Sequence, residues 1–349
     1  MSHRILLTGA SGYLGGDLLA RLGGAGLPSH EKLFALVRND GQAEAVKKYG
    51  AEPITFDTRD ELAVRQNVVD NKITIVYFLI DSLSCLSQKH FIKALAEVKQ
   101  VTGKDVHFLH TSGAKIFSSH AGAPTERPLL DTDPKLFDIQ KAQKPTVARV
   151  PEAIDTNCQV IELSDKFGVR SYVFVPCIVY GKGAGFGNPI SIQTVAIFKA
   201  GRGAQRVYKV DTGRPTWPVC HVSDNSTLFI EILRAILAGR NPGYGKKGYY
   251  LAASGSVAWD DIYNAMAVAM ATRNLISDSE VVPADDKALE RMSKALGCPK
   301  DFVALQLGGL CTFTAEHGKE LGWNPQFAPE HIIEAADEEV EVIMQSLKD

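Results

Sequence analysis

The 349-residue sequence has no apolar run approaching the ~18 residues that a membrane-spanning helix needs. It also lacks any Cys-x-x-Cys pair. The six cysteines, Cys85, Cys158, Cys177, Cys220, Cys298 and Cys311, are scattered, which excludes a redox dithiol or a zinc knuckle and leaves reduced thiols as the reading; no metal site is expected. Nor is charge of either sign in excess. Lys plus Arg (38) against Asp plus Glu (40) leaves a net charge of −2, so no broad field exists to hold nucleic acid or an anionic membrane. Met1 to Arg4 run straight into the strand-like Ile5-Leu6-Leu7, without the charged and apolar regions of a secretory signal. A soluble, cytoplasmic protein is the expectation.

What is present is alternation of short apolar runs with helical patterns, the signature of a parallel sheet covered on both faces. Candidate strands are Ile5 to Thr8, Leu33 to Val37, Pro53 to Phe56, Ile73 to Ile80, Val106 to His110 and Ser171 to Val175, all continuously apolar as doubly buried strands should be. Leu14, Leu18, Leu19 and Leu22 recur at helical spacing before the cluster Gly23-Gly24-Ala25-Gly26 ends that helix. From Gly181 to Pro218 the chain becomes glycine-rich around a predicted helix Ile190 to Lys199, which suits a lobe folding over a ligand. Further on, Gly248 to Ala252 reads as a strand, and Trp259 to Met270 and Pro329 to Leu347 read as helices. The acidic run Asp337-Glu338-Glu339 reads as a solvated helix face. The expected fold is α/β, a Rossmann doubly wound parallel sheet with a smaller C-terminal substrate-binding lobe. Residues 1–180 would form the first unit and 181–349 mainly the second, with segments near 215–235 and 248–252 returning to the sheet.

The strongest motif is Thr8-Gly9-Ala10-Ser11-Gly12-Tyr13-Leu14-Gly15, between the first strand and the first helix. Gly9 permits a tight turn, Gly12 admits a pyrophosphate close to the backbone, and Gly15 lets the helix approach the sheet. Backbone N–H groups and the roughly +0.5 charge of a helix N-terminus favour the phosphates. At the end of the second strand, where an acidic residue would hold the ribose hydroxyl of NAD, the sequence reads Val37-Arg38-Asn39. A guanidinium there matches a 2′-phosphate, so Arg38 points to NADP(H). Asp57 is placed to meet the adenine amino group or to cap the next helix.

Thr8 to Gly15, Arg38, Asp57, Leu109-His110-Thr111-Ser112 and Pro176-Cys177-Ile178-Val179-Tyr180-Gly181 together resemble the extended short-chain dehydrogenase/reductases, the NAD-dependent epimerase/dehydratase-like group. Trp217 to Asp224 is similar to that family's His-Val-x-Asp segment, and Leu321-Gly322-Trp323-Asn324-Pro325 to its Leu-Gly-Trp-x-Pro. The resemblance implies that Gly9, Ser11, Gly12, Tyr13, Leu14, Gly15, Arg38, Asp57, Ile80, Thr111, Pro176 and Ile178 surround the cofactor. It implies a small-molecule partner, a monomer or homodimer, and proton transfer by a Tyr-x-x-x-Lys pair beside a serine or threonine. None of the ten tyrosines has a lysine four residues later. One alignment puts Phe137 and Lys141 at the pair; counting back from Pro176 without gaps puts Arg149 and Ala153 there.

Candidate catalytic groups are therefore Ser112, Lys141 and Tyr180. Thr111 and Ser112 also read as hydroxyls lining the cofactor, and His110 and His221 as core residues. The loop Ser118 to Pro134 corresponds to a stretch that borders the substrate in the family. Three functions remain open: an NADP(H)-dependent oxidoreductase acting on a small carbonyl or conjugated substrate, a nonredox lyase, isomerase or cyclase on the same scaffold, and an NADP(H)-sensing regulator resembling the repressor branch of the atypical reductases.

Overall fold

A computed structural model describes residues 2–145 and 147–347. The apolar runs become one parallel sheet of seven strands: β1 (Arg4–Leu7), β2 (Lys32–Leu36), β3 (Glu52–Ile54), β4 (Ile75–Phe78), β5 (His107–Thr111), β6 (Arg170–Pro176) and β7 (Tyr249–Ala252). Their order is β7-β6-β5-β4-β1-β2-β3. The chain therefore runs outward one way through β1, β2 and β3, then returns to β4 on the other side of β1. That reversal opens a crevice beyond the carboxyl ends of β1 and β4, where open sheets bind ligands.

Both faces of the sheet are covered. Ile5 and Leu7 of β1 face one apolar cluster and Leu6 faces the other, as a period of two requires. On the second face, Phe78 and Phe108 meet Phe91 of the helix Leu86–Thr102, with ring centroids 5.7 and 6.4 Å away. On the first, helix α1 (Tyr13–Leu22) buries Leu18 and Leu19 and lies beside the helix Val222–Leu237. Asp17 joins these two helices to the glycine-rich segment. Its carboxylate accepts from Ser226 Oγ (2.6 Å), Arg21 Nε (2.7 Å) and Ala184 N (2.9 Å).

The later chain adds a three-stranded sheet in the order Gly255–Ala258, Thr216–His221, Ile178–Tyr180. Two of the resembling motifs meet beside it: Trp323 Nε1 donates to Asp224 O and Thr227 Oγ1, while the Asp224 carboxylate caps Gln326 N and Phe327 N. Two expected helices differ from the sequence reading. The one expected over 190–199 runs from Gln193 to Ala204, and the C-terminal one is two pieces, His331–Glu334 and Ala336–Ser346. Both pieces pack on the helix Trp259–Thr272, and beyond it the first also meets Thr216–His221 and the second Gln193–Ala204. Nor is the acidic run wholly solvated. Glu339 is buried, accepting from Thr194 Oγ1 (2.6 Å) and Gly181 N (2.8 Å), and burial raises its carboxyl above the ordinary value. No helix among the described residues is long and apolar enough to cross a membrane.

Candidate functional site

The Gly9–Gly15 turn follows the carboxyl end of β1, where Thr8 N donates to Tyr77 O of β4 at 2.9 Å. Gly9 takes φ +73°, and a Cβ on Gly15 would stand 2.3 Å from Gly9 O, so the first helix can approach the turn only without a side chain there. Gly12 begins the helix with no side chain capping it, which leaves the N–H groups of its first turn for a ligand. Gly9, Gly12, Tyr13, Leu14 and Gly15 all line a cavity of about 560 Å³. Ser11 is half-buried beside it, its Oγ accepting from Gln42 Nε2 at 3.3 Å. The second glycine-rich segment closes directly onto this turn: Asn188 N donates to Ser11 O at 3.0 Å, and a Cβ on Gly187 would stand 2.1 Å from that oxygen.

The cavity continues past the end of β5. Thr111, Ser112, Gly113, Ala114, Lys115 and Ile116 line it, and Ser112 N is fixed by Phe174 O at 2.8 Å. Thr111 Oγ1 is buried without a partner among the described residues. Buried hydroxyls rarely stay unsatisfied, and this one is free to meet a group bound in the cavity. Beyond it the wall is apolar, formed by Trp217, Trp259, Phe302, Leu305 and Ile192 from the later part of the chain. Lys115 was not foreseen. It sits in the short 3-10 turn Ala114–Phe117, half-buried, and burial lowers its ammonium from the ordinary value to about 8.

Several expected residues fall elsewhere. Lys141 belongs to the helix Leu136–Ala142 and pairs with Glu162 at the surface, away from the cavity, while Phe137 is buried in the core. The helix running into β6 is Val150–Phe167, and Arg149 at its start and Ala153 one turn on, the residues of the gapless count, line the cavity. Along Ile178–Tyr180, alternation turns Val179 into the cavity and leaves Ile178 and Tyr180 on the opposite side; Tyr180 Oη instead meets His331 Nδ1 at 3.1 Å. Pro176 does line the cavity. Neither His110 nor His221 reaches it, and residues 118–134 are tied to the C-terminal segment rather than bordering it, for example by Leu129 N to Thr312 O at 3.0 Å.

Arg38 is exposed at the end of β2, its N–H donating to Gln42 Oε1 at 2.9 Å. Asp57 is exposed and accepts from Arg59 N at 2.9 Å; the helix cap is Asp60, so the capping alternative for Asp57 does not hold. Ile80 is 45% exposed at the rim, its Cγ2 3.4 Å from where a Cβ on Gly9 would stand. No group of His, Cys, Asp or Glu among the described residues is arranged to hold a metal.

A glycine-rich turn at a sheet's switch point, opening into an apolar cleft, defines a Rossmann-type α/β scaffold suited to a dinucleotide. The chain belongs to the NAD dependent epimerase/dehydratase family, which it matches over residues 5–244. Among curated relatives, it is 23% identical over 319 residues to "Oxidase ucsJ" of Acremonium sp, covering 85% of this chain and 87% of that one. Two solved structures share its fold at low identity. The dTDP-glucose 4,6-dehydratase of Bacillus anthracis, in complex with NAD, superposes with a TM-score of 0.64 at 12% identity, over 99% of this chain and 97% of that one. The UDP-glucose 4-epimerase of Thermotoga maritima, with UDP-glucose, gives 0.61 at 15% identity, over 99% of both chains.

Proposed function

We propose that the protein is an NADP(H)-dependent oxidoreductase that acts on a small carbonyl or conjugated organic substrate without a Tyr-x-x-x-Lys pair. The observation that carries the reading is one continuous cavity, running from the uncapped helix start at Gly12 past the unpartnered Thr111 Oγ1 to the tryptophan wall. Its residues fit a dinucleotide. The glycine turn would hold the pyrophosphate, Thr111, Ser112 and Pro176 would flank the nicotinamide end, and Asp57 would approach the adenine. Arg38 would pair with a 2′-phosphate, since the end of β2 offers a guanidinium and no carboxylate. The bound cofactor supplies hydride; the chain orients the carbonyl and excludes water from it. Trp217, Trp259, Phe302 and Leu305 favour an apolar or aromatic substrate body over a sugar.

Calorimetry with NADPH and NADH, followed by NADPH consumption against a panel of aldehydes, ketones and enones, tests this reading. NADPH should bind more tightly. Arg38→Ala should weaken it roughly tenfold or more, from the loss of charge-assisted bonds worth about 1.5–3 kcal/mol, and leave NADH unchanged. Equal affinities in the parent protein would remove the NADP(H) preference. Tight binding with no turnover across the panel would assign the scaffold to nonredox chemistry or to sensing.

A further inference from the structure

Resting on that reading, we propose that Lys115 is the proton donor to the substrate oxygen, an ammonium taking the role that the resembled family gives to a phenol. The case begins with elimination. Among the described residues, the ionisable side chains lining the cavity are Tyr13, Lys115, Arg149 and Cys177, none of them from the chain after residue 180. Tyr13 spends its hydroxyl proton on Gly181 O at 2.6 Å, and burial, with Glu339 and Asp17 nearby, drives that phenol well above its ordinary value. Cys177 points its thiol at Ala252 O, 3.0 Å away, and burial raises it likewise. Arg149 is a guanidinium, which is not a proton-transfer group in proteins. Only Lys115 carries a proton that can leave and return near neutrality.

Placement supports the same role. Lys115 follows Ser112 by three residues, in a turn whose other members, Ala114, Ile116 and Phe117, are buried in the core. The turn is therefore anchored by buried apolar side chains, Phe117 away from the cavity, and Lys115 lines the cavity beside Ala114 and Ile116. Among the described residues no carboxylate lies within ion-pair distance of Lys115, whereas Lys141 is paired with Glu162. A desolvated amine without a counter-charge holds its proton less firmly, and burial is the sole cause behind its value of about 8. Lysines desolvated in this way are suited to general acid and base work.

The step balances. The substrate's carbonyl carbon gains a hydride, given up by a reduced nicotinamide dinucleotide that is thereby oxidised. The C–O π pair moves onto oxygen, which takes a proton from the Lys115 ammonium; the neutral amine left behind is reprotonated by solvent. Because the donor must be charged, reduction should be full below pH about 8 and decline as pH rises through it.

The test uses the full chain and the variants Lys115→Met and Lys115→Arg, with folding checked by thermal unfolding. Trace acetylation of the protein without cofactor, read peptide by peptide from neutral to alkaline pH, reports the amine directly. Lys115 should titrate well below surface lysines such as Lys246. On a carbonyl reduced by the parent, both variants should lose roughly 10²- to 10⁴-fold in turnover and lose the decline near pH 8, while NADPH affinity stays within a few-fold. Arginine keeps the charge but cannot release the proton, so Lys115→Arg turning over at the parental rate would show a mere anion contact and overturn the role. A Lys115 that titrates with the surface lysines overturns it too. A parent that binds NADPH but reduces no carbonyl overturns the oxidoreductase reading first, and the proton-donor role with it.

Discussion

A single methyl group tests how closely the two lobes of the site are pressed together. Gly187 leaves room for nothing: an added Cβ would stand 2.1 Å from the backbone oxygen of Ser11, which already accepts from Asn188 N. Gly187→Ala should push the closing segment off the phosphate turn, lowering stability by about 1–3 kcal/mol and weakening cofactor binding. Gly23→Ala, with nothing within 4 Å and helical φ, is the control and should change neither. Urea denaturation and calorimetry on the two variants check this, and equal behaviour would mean the segment gives way freely. At this scale the sequence is legible where chemistry fixes the spacing, as at Gly9, Gly12 and Gly15. It is opaque where meaning depends on the direction of a side chain. Tyr180 attracts notice for its phenol, but strand alternation aims it at His331, and Lys115 escapes notice although it is a lone cation in the apolar run Ala114 to Phe117. Only the turn's orientation gives that cation a role.

Among the elements, the decisive pair is the short helix Leu136–Ala142 and the long helix Val150–Phe167, since only the second borders the cavity. Sequence could not choose between Phe137 and Arg149 for the ancestral acid position because the stretch from Gln143 to Arg149, interrupted by Pro145, has no periodicity to fix where the second helix starts. Phe137→Tyr consequently should bring no gain in turnover and no new ionisation. The Phe137 ring is buried, with Lys246 Nζ 4.5 Å from its centroid, so an added hydroxyl without a partner would lower stability by about 1–3 kcal/mol. A rate increase with a new alkaline limb in the pH profile of this variant would place Phe137 in the site and refute the assignment to the longer helix. By contrast, the sheet strands were legible to within a residue or two, because doubly buried strands leave continuous apolar runs that turns must interrupt.

The whole molecule carries a further consequence of that doubly buried sheet: it traps histidines that must stay neutral. His107 and His110 both lie on β5, between β4 and β6, and both are buried. His107 Nδ1 meets Tyr172 Oη at 2.9 Å, whereas neither ring nitrogen of His110 has a partner among the described residues. Burial lowers His107 from its ordinary value to about 3 and His110 to about 4. In the unfolded chain both protonate near the ordinary value of about 6.5, so the unfolded state binds more protons between that pH and about 4. The contribution of these two histidines should then be level above pH about 6.5 and destabilising as pH drops below it, each giving a slope of about 1.4 kcal/mol per pH unit within its window. Urea denaturation at a series of pH values reads that slope. His110→Leu removes a proton site whose ring nitrogens have no well-formed hydrogen bond, so it should stay close to the parent in stability near neutrality. It should also lose roughly half of the combined acid slope of the two histidines. An unchanged slope in His110→Leu would mean that His110 protonates in the folded state without penalty, and that the centre of the sheet is more accessible to water than its packing implies.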